Sequence, residues 1–238
     1  GMNATRAYTT KYFKKLTVGR VQTPTLAMLV ERAGQISNFQ KEKYFNVELD
    51  CDGIPAVKPK IFDPDEAEQL RSRCQGSEAI VTAVKETEKK VKAPKLYDLT
   101  TLQREANRIY GMTAKQTLDT AQSLYEKKLI TYPRTDSQYL TEDMEQTARN
   151  VVYQIYEKYQ LTGPFDQPEQ PDVKKVMNNS KVTDHHAIIP TMELASCHLD
   201  ELKSWEEKIL FLIAVHTVMA MSKDHIYQET EIEVECQG

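Results

Sequence analysis

Apolar and polar residues change their spacing repeatedly along this chain. Between residues 3 and 36 the apolar positions fall at helical intervals, at Leu26, Leu29 and Val30, but Val18-Gly19-Arg20-Val21-Gln22-Thr23-Pro24 interrupts them. The interruption predicts a loop feeding a second helix, with Thr23 as its cap and Pro24 in the first turn, where a missing N–H is tolerated. Over residues 44–51 the period becomes two, through Phe45, Val47, Leu49 and Cys51, as in a half-buried strand. Residues 57–62 and 79–84 repeat that spacing around a short helix at 65–73, so residues 40–93 form a small, mainly β region.

After Pro94 the period is helical again. Residues 100–110 place Leu102, Ala106, Ile109 and Tyr110 on one face, and Gly111 stops the helix. Thr113-Ala-Lys-Gln116 is a capping box opening a second helix to about residue 128, with Leu118, Ala121, Leu124 and Tyr125 as its stripe. Two helices about a tight glycine turn, followed by a short strand at 129–132, predict a winged-helix-like unit. A further amphipathic helix is expected at 141–159, a polar loop at 161–183 and a strongly apolar helix at 202–221, built on Trp205, Ile209, Leu212, Ile213 and Val218. His216 on that last helix reads as a satisfied boundary histidine. Alternation returns at Ile226, Thr230, Ile232, Val234 and Cys236. The expected architecture is therefore α+β and multidomain, a helical domain inserted in a mainly β domain, divided at 1–39, 40–95, 96–222 and 223–238.

No apolar run approaches the roughly 18 residues that span a bilayer, and no signal peptide opens the chain, so a cytoplasmic protein is expected. The four cysteines, Cys51, Cys74, Cys197 and Cys236, lie far apart without metal-ligand spacing and are read as reduced and structural. A net charge of -4 argues at first against a nucleic-acid partner. Its distribution changes the picture. Residues 1–30 and 85–134 each carry net +5, which leaves the rest at -14. An acidic body with two basic stretches suits a protein that holds a polyanion in one place and repels it elsewhere.

Tyr132 stands before Pro133, which drives the preceding residue into an extended conformation. With a side-chain period of two, Tyr132 and Arg134 would project to the same side and meet one ligand. A phosphate suits both. The guanidinium fork matches phosphate oxygens and would steady a developing phosphorane. The phenolate is a nucleophile that can also leave, so a phosphotyrosine link would be reversible without ATP.

Thr131-Tyr-Pro-Arg-Thr-Asp-Ser137 resembles the active-site signature of type IA DNA topoisomerases. Three further segments agree, in the same order along the chain. Leu16-Thr-Val-Gly-Arg-Val-Gln-Thr-Pro-Thr-Leu26 is similar to that family's strand-binding loop and helix, Leu96-Tyr-Asp-Leu-Thr-Thr-Leu-Gln-Arg-Glu-Ala-Asn107 to the helix before the catalytic module, and Asp184-His-His-Ala-Ile-Ile-Pro-Thr191 to its histidine motif. The double histidine and the Thr-Pro-Thr-Leu continuation are closer to the topoisomerase III branch. The resemblance implies that Tyr132 takes a 5'-phosphate, that Arg134 positions and stabilises it, and that His185 arranges the scissile phosphate. It also implies that Thr17, Val18, Gly19, Arg20, Val21 and Gln22 bind single-stranded DNA. Thr135, Asp136 and Ser137 are expected to shape the turn after Tyr132, and Gln103 and Arg104 face either DNA or solvent.

The same resemblance implies a type IA core fragment, its helical tyrosine domain set between two parts of a β gate domain, in a monomeric bacterial enzyme at the nucleoid or a plasmid. The family's Mg2+ would be held by an acidic Toprim domain that this sequence does not include. The fragment would bind no metal and be inactive alone. Asp63-Pro-Asp65 has the family's metal-motif spacing, but before Glu66-Ala-Glu68 it reads as a helix cap. Two other classes compete. A non-catalytic winged-helix protein would send residues 113–128 into the major groove, yet has no use for Tyr132 beside Arg134. A tyrosine recombinase or relaxase would need arginine, histidine or metal-triad spacings that are lacking.

Overall fold

The computed structural model describes residues 1–161 and 171–237. The chain divides into two compact units, residues 1–85 with 232–238 and residues 86–231. β3 (Ile80–Val91) and β4 (His225–Glu235) pair with each other and carry the chain from one unit into the other and back.

The first unit opens with α1 (Met2–Tyr12) and α2 (Gln22–Ser37), neither of which buries a residue. The apolar stripe of α2 is present but open: Leu26, Leu29 and Val30 are each about 60% exposed. Thr23 is not the cap. α2 begins two residues earlier, with Val21 at the cap position, and the Thr23 hydroxyl sits inside the first turn accepting the Gly19 N–H at 3.1 Å. β1 (Phe45–Cys51) and β2 (Ile54–Ile61) form an antiparallel hairpin. Its two-residue turn, Asp52-Gly53, has positive φ at both positions, the conformation that matches the right-handed twist of paired strands. α3 (Pro64–Cys74) starts where expected: the Asp63 carboxylate accepts the Asp65 N–H at 2.9 Å and Pro64 fills the first helical position. Ala67 of α3 packs on Val47 and Ile61, which makes a small core. The expected alternation in β3 and β4 is real as strand, yet neither strand buries a side chain fully.

The second unit is helical. α4 (Leu99–Tyr110) is opened by a reciprocal cap between Asp98 and Thr101, and α5 (Ala114–Glu126) by the Thr113–Gln116 box. Between them Gly111 adopts φ 68°, which a residue without Cβ enters at no steric cost. α6 (Glu145–Tyr159) follows a short 3-10 turn at Glu142–Met144, and α7 (Ser204–Ala220) closes the unit. One apolar cluster joins Leu102 and Ala106 of α4, Leu124 of α5, Val152 and Ile155 of α6 and Ile209 and Ile213 of α7. Each of the leucine, isoleucine and valine side chains contributes about 2 kcal/mol by leaving water. The 161–183 loop contains 3-10 turns at Val173–Val176 and Asn179–Lys181, and its residues 162–170 lie outside the described set.

Glu206 ties α7 to α5. Its carboxylate accepts from Ser123 Oγ at 2.7 Å, from Lys127 Nζ at 2.6 Å and from the Lys203 N–H at 2.9 Å, capping α7 from its third position. Burial by itself would raise its pKa. The Lys127 and Ser123 hydrogen bonds, with that of Lys203, outweigh burial and bring it down to about 2.

The strand expected at 129–132 does not form. Only Ile130 makes a bridge, to Pro190. The reason is where the backbone hydrogen bonds go: this segment pairs with the histidine motif through bent, irregular chain, and Pro133 cannot donate to a ladder.

Candidate active site

Tyr132 is placed by its neighbours. The Thr131 N–H donates to Ile189 O at 3.0 Å, while the Thr131 hydroxyl donates to Ala187 O at 2.9 Å and accepts the Ile189 N–H at 3.0 Å. One threonine thus joins the tyrosine segment to the histidine segment three times. On the far side of Tyr132 the Thr135 hydroxyl donates to His185 O at 2.9 Å, and Thr135 O accepts the Leu99 N–H at the start of α4. Pro133 is buried between these two anchors. The Ala187 N–H closes the pairing on Tyr139 O at 2.9 Å.

The result is an aromatic pair. The Tyr132 and His185 rings lie 4.3 Å apart, tilted by 48°. Tyr125, from the end of the α5 stripe, meets the other part of Tyr132 edge-on at 5.3 Å. Tyr132 is half-buried and His185 exposed, so a phenol and an imidazole are presented together at the surface of a rigid helical body. His186 points its Nδ1–H at Ala187 O, 2.9 Å away.

Arg134 falls outside this pair. It is exposed, and among the described residues no hydrogen bond, ion pair or ring contact joins it to Tyr132. The period-two argument that placed both on one side presupposed a strand, and the backbone here bends at Pro133 and Arg134. Thr135 and Ser137 shape the following turn as expected, with the Ser137 N–H on Thr135 Oγ1 at 3.1 Å. Gln103 is structural, its amide donating to Ala114 O at 3.0 Å. His216 is satisfied as expected: it stacks on Tyr97 with centroids 3.7 Å apart, its Nε2–H reaches Lys95 O at 2.7 Å, and burial holds its pKa below the ordinary value.

Residues 17–22 belong to the other unit. Their loop is held to α1 by two hydroxyls one helical turn apart. Thr5 Oγ1 accepts the Val18 N–H at 3.0 Å and Thr9 Oγ1 the Leu16 N–H at 3.2 Å, and both hydroxyls donate back to the carbonyls of the same two residues. The backbone of Leu16 and Val18 is thereby fixed while Thr17, Arg20, Val21 and Gln22 remain exposed.

The family model described as DNA topoisomerase matches residues 1–238. The chain belongs to the DNA topoisomerase family. It is 38% identical to DNA topoisomerase 3 of Bacillus subtilis and 36% identical to DNA topoisomerase 3 of Staphylococcus aureus, in each case over 100% of this chain and 34% of the relative. Full-length topoisomerase I from Thermotoga maritima superposes with a TM-score of 0.70 at 28% identity, over 94% of this chain and 37% of that one. The chain therefore spans about a third of the length of the topoisomerases it matches.

The type IA resemblance and its leaning toward topoisomerase III are borne out. Type IA topoisomerases depend in general on Mg2+. The residues present here do not fit that ion: among the described residues no group of three or more His, Cys, Asp or Glu is placed to hold a metal, and Asp63 is engaged as a helix cap. No helix among them is long and apolar enough to cross a membrane. The supporting roles of Thr131, Tyr125, Thr5 and Thr9 were missed from sequence, where an isolated threonine or a stripe aromatic carries no distinguishing pattern.

Proposed function

We propose that residues 1–238 are the strand-cleaving core of a type IA topoisomerase that breaks and rejoins one DNA strand through Tyr132. The Tyr132 phenol oxygen attacks a backbone phosphorus, the bond to the 3' oxygen breaks, and the phenolic proton leaves with the 3' hydroxyl. Tyr132 then carries the 5' phosphate. Return attack by the 3' hydroxyl expels the phenolate and reseals the strand, so the phosphodiester energy is conserved through passage of another strand and no ATP is consumed.

The observation that carries this reading is the ring contact of Tyr132 with His185, on two segments that Thr131 and Thr135 lock together. His185 arranges the scissile phosphate beside the phenol. Arg134, exposed two residues on, reaches the phosphate only when DNA is present and supplies charge to the phosphorane. Thr17, Val18, Gly19, Arg20, Val21 and Gln22 take the single strand, with Arg20 and Gln22 as the polar contacts. β3, β4 and the hairpin belong to the gate domain around the helical tyrosine domain.

Magnesium serves such an enzyme from an acidic Toprim domain outside residues 1–238. The parent acts as a bacterial cytoplasmic monomer on relaxation or decatenation. Family membership and the relatives' names support this reading.

The test uses a complete parent enzyme with magnesium and a labelled single strand. The wild type forms a denaturant-resistant protein–DNA adduct, and Tyr132→Phe forms none. The 238 residues alone leave supercoiled DNA unrelaxed in the same buffer. An adduct that survives Tyr132→Phe overturns the assignment.

A further inference from the structure

Two lysines from distant parts of the sequence meet over one tyrosine next to the histidine segment. Lys181 Nζ lies 4.9 Å and Lys95 Nζ 5.6 Å from the ring centroid of Tyr139. Neither ammonium has an acidic partner within ion-pair distance among the described residues. Two ammoniums beside one phenol without a carboxylate repel each other, and an anion bound between them would relieve that repulsion.

The backbone beneath the cluster is built to hold it. Lys95 O is held by the His216 imidazole at 2.7 Å and Lys181 O by the Ser137 hydroxyl at 2.9 Å. The same Ser137 oxygen accepts the Tyr139 N–H at 3.2 Å, and Tyr139 O receives the Ala187 N–H. All three residues are thus pinned at the main chain, while both lysine side chains remain exposed. Burial would raise the Tyr139 phenol, but hydrogen bonds and charge from Lys95 and Lys181 together bring its pKa below the ordinary tyrosine value. The local field favours negative charge.

We infer that Lys95, Lys181 and the Tyr139 hydroxyl form a second phosphate subsite, one that grips a backbone phosphodiester of the single strand next to the segment bearing His185. The inference rests on the strand-cleaving reading above and adds to it. Ala187 connects the two places: its carbonyl takes the Thr131 hydroxyl beside Tyr132, and its N–H takes Tyr139. A strand anchored at Tyr139 is held close to the nucleophile, so the subsite contributes register as well as affinity. Two ammoniums suit a phosphate as point charges, and the phenol O–H adds a directed donor.

The experiment is a fluorescence-anisotropy titration of the 238-residue chain with a labelled single-stranded oligonucleotide at several salt concentrations. In the doubly substituted Lys95→Ala/Lys181→Ala chain the slope of log affinity against log salt falls in magnitude by about 0.7, one phosphate contact on a single strand, and affinity at 0.1 M salt drops about fivefold. Lys95→Arg/Lys181→Arg restores both. Lys208→Ala, which leaves Trp205 uncovered but touches none of the cluster, changes neither. A doubly substituted chain with an unchanged slope and an unchanged melting curve overturns the subsite while leaving the cleavage reading intact. Failure of the unsubstituted chain to bind single strands removes the reading beneath it as well.

Discussion

The helical unit and the hairpin-bearing unit are held together by different physics. In residues 86–231 four helices share one apolar cluster, and the loops that carry Tyr132, His185 and Tyr139 are hydrogen-bonded to that body and to each other. In residues 1–85 the apolar cluster is Val47, Ile61 and Ala67, and α1 and α2 bury nothing. The loop at 17–22 is positioned instead by the Thr5 and Thr9 hydroxyls. A nucleophile must be held to a fraction of an ångström, and Tyr132, proposed for that role, sits on the packed body. The 17–22 loop, proposed to take a single strand, is held by polar contacts that open at low cost.

That comparison is open to attack on three levels. The largest effect belongs to the cores. Ile213→Ala, at a fully buried position, lowers stability by about 2–5 kcal/mol, whereas Leu29→Ala on the open face of α2 stays within about 0.5 kcal/mol. Denaturant unfolding of the two variants decides it, and equal losses would erase the distinction.

An intermediate effect comes from Glu206. Its folded pKa of about 2 lies below the usual carboxylate value near 4.5, so its stabilisation is complete above about pH 4.5 and is lost as pH falls toward 2. Glu206→Gln costs about 2 kcal/mol at neutral pH and flattens the acid limb of the stability–pH curve. A variant whose acid limb keeps the wild-type slope would remove Glu206 from the account.

The smallest effect is local. Thr5→Val or Thr9→Val removes about 1 kcal/mol from its loop, raising amide exchange at Val18 or Leu16 about fivefold without moving the global transition. Unchanged exchange at both amides would mean that the hydroxyls do not hold the loop.

The helical unit was well read from sequence because its signals are local. The Thr113–Gln116 box, the Gly111 stop and the Leu102, Ala106 and Leu124 positions all depend on residues within a turn or two. The same stripes misplace their ends. Ile109 is exposed, and Tyr125 turns from the core toward Tyr132. Period two in β3 and β4 marked strands correctly but implied a buried face that neither has here, since alternation records side-chain direction and not what lies opposite.

The site was legible in part. Tyr132 and His185 meet, from segments 53 positions apart that only their motifs had connected. Arg134 was placed by a strand that does not form: the Leu129 N–H turns back to Leu124 O, and the Thr131 N–H goes to Ile189 O in an isolated bridge rather than a ladder. Lys95 and Lys181 were invisible. Nothing in either neighbourhood marks a cluster that only the fold assembles.

The central claim is that Tyr132, and no other tyrosine of its cluster, takes the phosphate. Tyr125 lies 5.3 Å away ring to ring, and Tyr139 is on the paired segment, so both are real competitors. The direct measurement is to trap the adduct of a complete parent enzyme with a short single strand, digest it and identify the nucleotide-bearing residue by mass spectrometry. The account predicts a nucleotide 5'-phosphate on Tyr132 alone; the same mass added to Tyr125 or Tyr139 would contradict it.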